Sequence, residues 1–204
     1  MRNVETESDL NVPFADKTIT FAATYKLSKC LVDGVDKSLN KLRCDIAVDL
    51  HRSKQMKIIG RDWPDNIAEA ESRFDDRPNK KLEFLSTSNF NFCYENSHAD
   101  YYVSEKLWEA ISGGCLPIYY PKDSIYLNFP RNSLIDGREF PSSDDLAEFV
   151  NSMTFEEYRR RVNLCRRIFN LAVSEQLFSR SRQRTTDRLN MFLRTVVSQL
   201  RSGH

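Results

Sequence analysis

The chain has 204 residues, of which 40% are hydrophobic and 29% are charged, and its formal net charge is +1. A chain of this length can bury one substantial core but is too short for two full-sized α/β domains. The near-neutral charge excludes the general attraction to nucleic acid or to a membrane surface that a strongly basic protein has, so we expect no nucleic-acid partner.

Five cysteines are scattered along the chain, and no two of them form a Cys-x-x-Cys pair. This spacing favours free thiols in a reducing compartment over a disulfide framework, and the three histidines show no metal-ligand spacing. The sequence has no run of about 18 apolar residues that could span a membrane, and residues 1–9 are polar and acidic. We therefore predict a cytoplasmic protein without a bound metal.

Strand-like and helix-like patterns alternate along the chain, beginning with a short strand at residues 18–23. Apolar residues at helical spacing follow in the second half of residues 31–50. We then predict, in chain order, a strand at 56–60, a charged helical or irregular segment at 74–88, a strand at 89–94, a helix at 102–112, a strand at 116–120, a short strand at 133–136 and a helix at 144–152.

This order of elements predicts the fold class. Alternating strands and helices, with connections too short for a sandwich, indicate an α/β fold in which a parallel sheet carries helices on both faces. In such sheets ligands bind beyond the carboxyl ends of the strands. A polar turn that leaves a strand and enters a helix is therefore the place to look for a site.

Two cations are placed to meet at such a turn. The turn joins the predicted strand at 89–94 to the predicted helix at 102–112, whose unpaired backbone N–H groups and positive dipole end favour an anion. Lys106 adds a positive charge in the first turn of that helix. Arg43, on the helix before the strand at 56–60, can bind phosphate oxygens bidentately. Together these features predict a seat for a diphosphate.

Three further side chains around the turn suit a polyhydroxylated ligand. Asn96 and Glu105 can bond to sugar or ribose hydroxyls, and Tyr102 offers a hydroxyl or a stacking face. A plainer interpretation stays open, because Glu105 and Lys106 taken alone are typical of solvated helix charges. Asn96 with Ser97 also fits a simple capped turn.

The sequence order around this turn closely resembles the donor-binding half of the family 10 glycosyltransferases, the α-1,3/α-1,4-fucosyltransferases. The motif reads Tyr-Glu-Asn-Ser at residues 94–97, Tyr-Val-Ser-Glu-Lys at 102–106 and Gly-Gly-Cys-Leu-Pro-Ile-Tyr at 113–119. The likeness covers roughly residues 18 to 170. Residues 38–64 resemble the family's arginine-bearing helix and its strand-glycine-tryptophan turn, and residues 130–142 resemble the segment after the glycine turn.

The resemblance implies a Rossmann-like domain, the donor half of a GT-B glycosyltransferase, that transfers L-fucose from GDP-fucose to a glycan hydroxyl with inversion. It implies that Arg43 and Lys106 neutralise the departing diphosphate and that Asn96, Tyr102 and Glu105 contact the nucleotide sugar. It implies no required cofactor, although Mn²⁺ can stimulate such enzymes. Were the chain a piece of a longer protein, the alternative location is the Golgi lumen or a membrane-associated one.

The catalytic residue stays unknown, because in the resembled family the general base lies in an N-terminal acceptor domain. Here at most 17 residues precede the first predicted strand, so we expect an N-terminal acceptor domain or a partner chain to supply the base. Two alternatives stay open: a donor-binding half or pseudo-enzyme that does not catalyse transfer alone, and a GT-B transferase using another nucleotide sugar. Retaining GT-B members usually carry Glu-x7-Glu, and the residue eight after Glu95 is Val103.

The last fifty residues differ in composition from the rest. Eleven arginines lie between residues 159 and 201, against four acidic residues beyond residue 151, and apolar residues recur there at helical spacing. We therefore divide the chain into a flexible N-terminal segment (1–17), a Rossmann-like donor-binding domain (18–152) and arginine-rich C-terminal helices (153–204) that pack on it. Self-association, or contact with an anionic membrane surface, an acidic glycan or nucleic acid, is the alternative role for these helices.

Overall fold

The computed structural model describes residues 10–70 and 77–174, and these form one α/β unit. In chain order the strands are β1 (Ile19–Ala22), β2 (Leu31–Val32), β3 (Val35–Asp36), β4 (Met56–Ile59), β5 (Phe90–Phe92), β6 (Leu116–Tyr119) and β7 (Ile135–Asp136). The α-helices are α1 (Asn40–Arg52), α2 (Arg77–Leu85), α3 (Glu105–Ser112), α4 (Ser143–Ser152) and α5 (Phe155–Ser174).

Five of the strands form a parallel sheet in the order β4-β1-β5-β6-β7. The chain leaves β1 toward β4 on one side and leaves β5 toward β6 on the other. Because parallel crossovers are right-handed, this reversal places α1 on one face of the sheet and α2 and α3 on the opposite face. Helix α4 packs with α1, and α5 packs with α3 and β6. The point of reversal lies between β1 and β5, where doubly wound sheets open a crevice.

The central strands are buried on both faces, as expected when helices cover a parallel sheet. Phe90 and Phe92 of β5 are almost fully buried, and the intervening Asn91 donates its side-chain N–H to the Thr20 backbone carbonyl at 2.8 Å. All four residues of β6 are buried. Burying each large apolar side chain stabilises the fold by about 1.5–3 kcal/mol, so this apolar centre fixes the positions of the strand ends.

The fold prediction is confirmed, and the strands at 18–23, 56–60, 89–94, 116–120 and 133–136 all exist with slightly shorter bounds. One short element was not predicted. The β2–β3 hairpin turns at Asp33 and Gly34, which both have positive φ. Asp-Gly is a strong signal for a two-residue hairpin turn, so the sequence did contain the evidence for this element.

The helix predicted to begin at residue 102 instead begins at Glu105, and this is a correction. Ser104 has extended φ/ψ and its side chain accepts a bond from the Lys106 backbone N–H, so it is the N-cap. Tyr101 adopts a positive φ of 59°, which turns the chain before the cap. Tyr102 therefore lies in the loop and not on the helix.

The two ends of the chain depart in part from the predicted division. Residues 10–17 pack on the domain, since the Asn11 side chain donates to the carbonyls of Ser88 at 2.7 Å and Gly113 at 2.8 Å. The packed part of the chain therefore extends back to residue 10. At the other end α5 is the first of the predicted C-terminal helices. The rest of that prediction, from residue 175 onward, lies outside the described residues.

Candidate functional site

The predicted site lies at the carboxyl edge of the sheet, where the chain leaves β5. Beyond that strand the chain has no regular secondary structure over residues 93–95 and bends at Asn96. Glu95 points toward α3 and contacts Lys106, whereas Asn96 points toward α1 and contacts Arg43. Two neighbouring residues of one segment thus contact one cation from each face of the sheet.

Arg43 is the more deeply buried of the two cations, with 3% of its surface exposed. Its Nη1 donates to the Asn96 side-chain carbonyl at 2.6 Å, while its buried Nε has no hydrogen-bond partner among the described residues. Burial lowers the pKa of this guanidinium because a desolvated charge is costly. A buried cation with an unpaired donor, beside an exposed Asn96, favours an anionic ligand.

Lys106 is held on the other face with 16% of its side chain exposed. Its Nζ donates to Glu95 Oε2 at 3.1 Å and to Ser104 Oγ at 3.1 Å. The nearest oxygen of Glu105 is 3.9 Å from Nζ, too far for a hydrogen bond. An ammonium group has three N–H donors, so one remains for a ligand.

Glu95 is a site residue that the sequence interpretation did not select. It is 2% exposed, and its Oε1 accepts from the Ser104 backbone N–H at 2.7 Å and from the Tyr119 hydroxyl at 3.1 Å. Its Oε2 accepts from Ser104 Oγ at 2.7 Å as well as from Lys106. Burial and this carboxylate both raise the pKa of Tyr119, which keeps its hydroxyl protonated as a donor. A carboxylate directly after a buried strand was the sequence signal for Glu95.

These contacts correct the expected role of the helix N-terminus. The prediction placed an anionic ligand on unpaired N–H groups at the start of the helix. In the structure the Ser104 N–H already binds the Glu95 carboxylate, and the Lys106 N–H binds Ser104 Oγ at 3.5 Å. A protein carboxylate therefore occupies the positive end of α3.

Tyr102 and Glu105, the other two residues predicted to contact a nucleotide sugar, face solvent beside the cluster formed by Glu95, Ser104, Lys106 and Tyr119. Tyr102 is exposed in the loop before α3 and touches the cluster only through its carbonyl, which lies 3.4 Å from the Tyr119 hydroxyl. Glu105 is the first residue of α3, and 63% of its side chain is exposed. The structure therefore joins Arg43 with Asn96 and Lys106 with Glu95, and it leaves Tyr102 and Glu105 at the rim without direct bonds to either cation.

A narrow cavity opens between α2, α3 and the ends of β1 and β5, at the crevice of the doubly wound sheet. Lys106 forms part of its wall together with a second lysine, Lys81, whose Nζ pairs with Glu109 of α3. The rest of the lining is Phe21, Ala22, Leu85, Asn91, Phe92 and Cys93. Both lysines of this wall already pair with carboxylates, Lys81 with Glu109 and Lys106 with Glu95, and most of the remaining lining is apolar.

The part of the chain that the structure describes contains neither a cluster of metal ligands nor a helix that could cross a membrane. Within residues 10–70 and 77–174, no three His, Cys, Asp or Glu side chains cluster in a way that could hold a metal ion. The helices of the same ranges include none that is both long enough and apolar enough to cross a membrane. The five cysteines all lie in this part of the chain, and each is a free thiol.

The sheet order, the covering helices and the cations at the point of reversal define a doubly wound, Rossmann-like α/β domain. In that class ligands bind at this edge of the sheet. Comparison with known proteins identifies the family: the model of the family described as "Glycosyltransferase family 10 (fucosyltransferase) C-term" matches residues 24–179. The chain therefore belongs to glycosyltransferase family 10, to its C-terminal fucosyltransferase domain. The family resemblance inferred from the motif is thereby confirmed.

Curated relatives share short stretches with this chain. An α-(1,3)-fucosyltransferase FucT of Helicobacter pylori is 33% identical over 70 residues, which are 34% of this chain and 15% of that protein. An α-(1,4)-fucosyltransferase of Arabidopsis thaliana is 35% identical over 69 residues, 34% of this chain and 17% of that protein. A GDP-fucose protein O-fucosyltransferase 3 of Bos taurus is 32% identical over 79 residues, 38% of this chain and 16% of that protein.

Solved structures share the fold. A crystal structure of an α1,3-fucosyltransferase aligns with a TM-score of 0.54 at 22% identity, covering 77% of this chain and 38% of that one. A structure of an α1,3-fucosyltransferase with GDP-fucose aligns with a TM-score of 0.53 at 18% identity, covering 74% and 40%. The matched region is therefore less than half of each solved chain.

Proposed function

We propose that this chain is the donor-binding half of a fucosyltransferase. In this proposal GDP-fucose binds at the carboxyl edge of the sheet, Arg43 and Lys106 contact its diphosphate, and Asn96, Tyr102 and Glu105 contact the nucleotide sugar. Together with an N-terminal acceptor domain or a partner chain, the protein transfers L-fucose to a glycan hydroxyl with inversion. The scattered free thiols favour a reducing compartment such as the cytoplasm.

The observation that carries this proposal is the buried guanidinium of Arg43. Its Nε is unpaired among the described residues, and the Asn96 that it contacts is the neighbour of the Glu95 that holds Lys106. A protein that buries a cation without an acidic partner loses stability unless an anion completes the site. A diphosphate supplies two negative groups and several acceptor oxygens, which suits one guanidinium and one ammonium.

The chemistry of transfer gives both cations a catalytic purpose. Breaking the bond between the sugar and the phosphate builds negative charge on GDP, and fixed cations lower the barrier to that step. Removing one such group commonly costs about 10² to 10³ in rate. The general base that deprotonates the acceptor is proposed to come from the other domain. Mn²⁺ is proposed to act only as an accessory ion on the GDP phosphates and not as a required cofactor.

A calorimetric titration tests the identity of the donor. We expect GDP-fucose and GDP to bind more tightly than UDP-galactose, and GDP to bind at least tenfold more tightly than GMP because GMP lacks the β-phosphate. GDP-mannose serves as the control for the sugar, since it carries the same nucleotide. Equal affinity for UDP-galactose and GDP-fucose would favour a transferase that uses a different nucleotide sugar.

A second candidate function is a nucleotide-sugar binding module that does not catalyse transfer alone. The buried carboxylate at the site, Glu95, already accepts from Ser104, Tyr119 and Lys106, so it is not placed to act as a general base, and this favours the binding module. Release of GDP from GDP-fucose, measured with the chain alone and with a candidate acceptor-domain chain added, separates the two functions. Turnover that requires the added chain supports the proposed half-enzyme, whereas binding without turnover in both samples supports the binding module.

A further inference from the structure

We propose that Glu95 is a positioning residue that orients the ammonium group of Lys106 toward the donor diphosphate. The inference rests on the proposed function, because it concerns the same anion. It assigns a role to a buried carboxylate that lies next to the proposed donor contacts.

The surroundings of Glu95 are unusual for a carboxylate at the end of a strand. It is almost completely buried, and four donors surround it: the Ser104 N–H, the Ser104 hydroxyl, the Tyr119 hydroxyl and Lys106 Nζ. Three of these donors are uncharged and hold the carboxylate regardless of Lys106. A buried charge with a full set of donors is rigid, because any rotation would leave some of them unpaired.

This rigid carboxylate determines where the lysine ammonium group lies. Two of the three Lys106 N–H donors bind Glu95 Oε2 and Ser104 Oγ, each at 3.1 Å. Fixing two donors of a tetrahedral ammonium fixes the direction of the third. A lysine side chain is otherwise flexible, so holding it in place before the ligand arrives removes an ordering cost from binding.

The same segment also relates Lys106 to Arg43. Glu95 holds Lys106 on the α3 face, and the next residue, Asn96, accepts from Arg43 on the α1 face. The backbone of Asn96 is itself held at the start of α1, since its backbone carbonyl accepts from the Leu39 N–H at 2.9 Å. One short segment therefore sets the spacing of both cations at the carboxyl edge.

Charge and geometry make opposite predictions for the removal of Glu95. As a negative charge Glu95 repels a diphosphate, so losing the charge would tighten binding if electrostatics dominated. As a positioning group it orients Lys106. In Glu95→Gln one oxygen becomes an NH2 group that faces donors, so the Lys106 contact or the Ser104 contact is lost. We expect the loss of positioning to dominate, because three neutral donors already offset much of the Glu95 charge.

The test compares GDP with GMP in four proteins by calorimetric titration: wild type, Glu95→Gln, Lys106→Ala and the double variant. We expect Glu95→Gln to weaken GDP binding at least fivefold and GMP binding less than twofold, because only GDP carries the β-phosphate. In the Lys106→Ala background the same substitution should change GDP binding less than twofold. Glu157→Gln is the control, since it also removes a carboxylate from an ion pair, in this case with Arg161 on α5.

Each outcome bears on one proposal. Unchanged or tighter GDP binding in folded Glu95→Gln overturns the positioning role, and so does an equal loss for GDP and GMP, which a merely structural role would produce. Should Glu95→Gln fail to fold, Glu95→Asp keeps the charge but withdraws the carboxylate, and wild-type GDP affinity in that variant overturns the inference. Unchanged GDP affinity in Lys106→Ala instead overturns the diphosphate contact of the proposed function.

Discussion

Arg43 and Lys106 come from helices on opposite faces of the sheet, yet consecutive residues of one segment hold them. Asn96 accepts from Arg43, and Glu95 accepts from Lys106. The cations differ in their state before a ligand binds. Arg43 keeps an unpaired buried donor, whereas Lys106 already has a carboxylate partner. Arg43 therefore has more to gain from an anion, and Lys106 has the more defined position.

We predict that Arg43→Ala and Lys106→Ala each weaken GDP binding at least tenfold. A charge-assisted hydrogen bond contributes about 1.5–3 kcal/mol, and about 1.4 kcal/mol corresponds to tenfold in affinity. Titration calorimetry measures the loss, and circular dichroism checks that both variants fold. Lys41→Ala is the control on α1, because its side chain is 76% exposed and pairs only with Asp45 among the described residues. GDP affinity equal to wild type in both variants would place the diphosphate elsewhere.

Asp136, at the end of β7, gives a prediction about acid stability. Burial alone raises the pKa of this carboxyl, but hydrogen bonds from Arg138 and Tyr126 outweigh burial, so the pKa in the folded state is lowered. A lowered folded pKa contributes stability above the unfolded value, about 3.9 for Asp, and that contribution disappears as the pH falls through the folded pKa. The stabilising effect of Asp136 is therefore present at pH 7 and lost in strong acid.

We expect Asp136→Asn to lower the urea midpoint at pH 7, and we expect the gap to wild type to shrink as the pH falls below about 4. Urea unfolding followed by fluorescence at several pH values between 7 and 2.5 measures this gap. Asp100→Asn, which removes the same charge from an exposed loop residue, is the control and should leave the midpoint nearly unchanged. A gap that stays constant down to pH 2.5 would contradict the assigned cause.

At the scale of elements, the start of α3 determines the shape of the site. The sequence pattern suggested a helix from residue 102, but Ser104 is an N-cap residue followed by Glu105 and Lys106, and the cap sets the boundary. Because the helix begins three residues later, Tyr102 stays in the loop and Lys106 lies in the first turn. The late start also lets the Ser104 N–H bind Glu95, which closes the loop between β5 and α3.

We predict that Ser104→Ala destabilises the protein more than Ser142→Ala, because only Ser104 donates to a buried carboxylate, and that the two variants also differ in their effect on GDP. Each serine caps a helix, and losing such a cap costs about 1 kcal/mol. Only Ser104 also binds Glu95 and Lys106, so only its loss should weaken GDP binding, by severalfold. Urea midpoints measure stability, and titration measures affinity. The distinction fails if both variants bind GDP like the wild type, or if both lose affinity equally.

At the scale of the whole molecule, the sheet order concentrates the ligand groups at one edge. Chain reversal between β1 and β5 leaves a crevice there. Lys106 of α3 lines the cavity at this crevice, and Arg43 of α1 contacts Asn96 in the loop that follows β5. The N-terminal residues and α5 pack elsewhere: Phe14 packs at a tilt against Tyr158 of α5, and the Tyr158 ring also packs against Phe90. These contacts cover the amino ends of the strands. The Arg43 Nε, which is unpaired among the described residues, lies instead near the carboxyl ends.

We predict that GDP raises the unfolding midpoint of the whole chain. A ligand that binds only the folded state adds about 2.7 kcal/mol of stability at a concentration 100 times its Kd. Differential scanning fluorimetry with increasing GDP should therefore show a rising midpoint, with a much smaller rise in Arg43→Ala at the same concentrations. GMP is the control ligand and should raise the midpoint less. A midpoint that does not move at millimolar GDP would contradict binding at this edge.

Local sequence patterns predicted most of the fold. Buried strands such as β5 and β6 were recognisable because a strand covered on both faces reads as a short apolar run bounded by polar turns. The alternation of strands and helices then predicted the parallel sheet, and the carboxyl ends of its strands gave the edge at which a site would lie. The β2–β3 hairpin and the start of α3 were missed because single turn and cap residues, Gly34 and Ser104, decide them.

The sequence by itself determined the class of fold, the family motif and the residue types at the site, because strand and helix periods are local properties of the chain. Only the tertiary structure decided how those residues pair. Arg43 and Asn96 are 53 positions apart, and their bond depends on where α1 packs. Glu95 belongs to the site because the fold surrounds it with Tyr119 and Ser104. Hydrogen bonds between distant segments depend on packing in three dimensions, which no local pattern specifies.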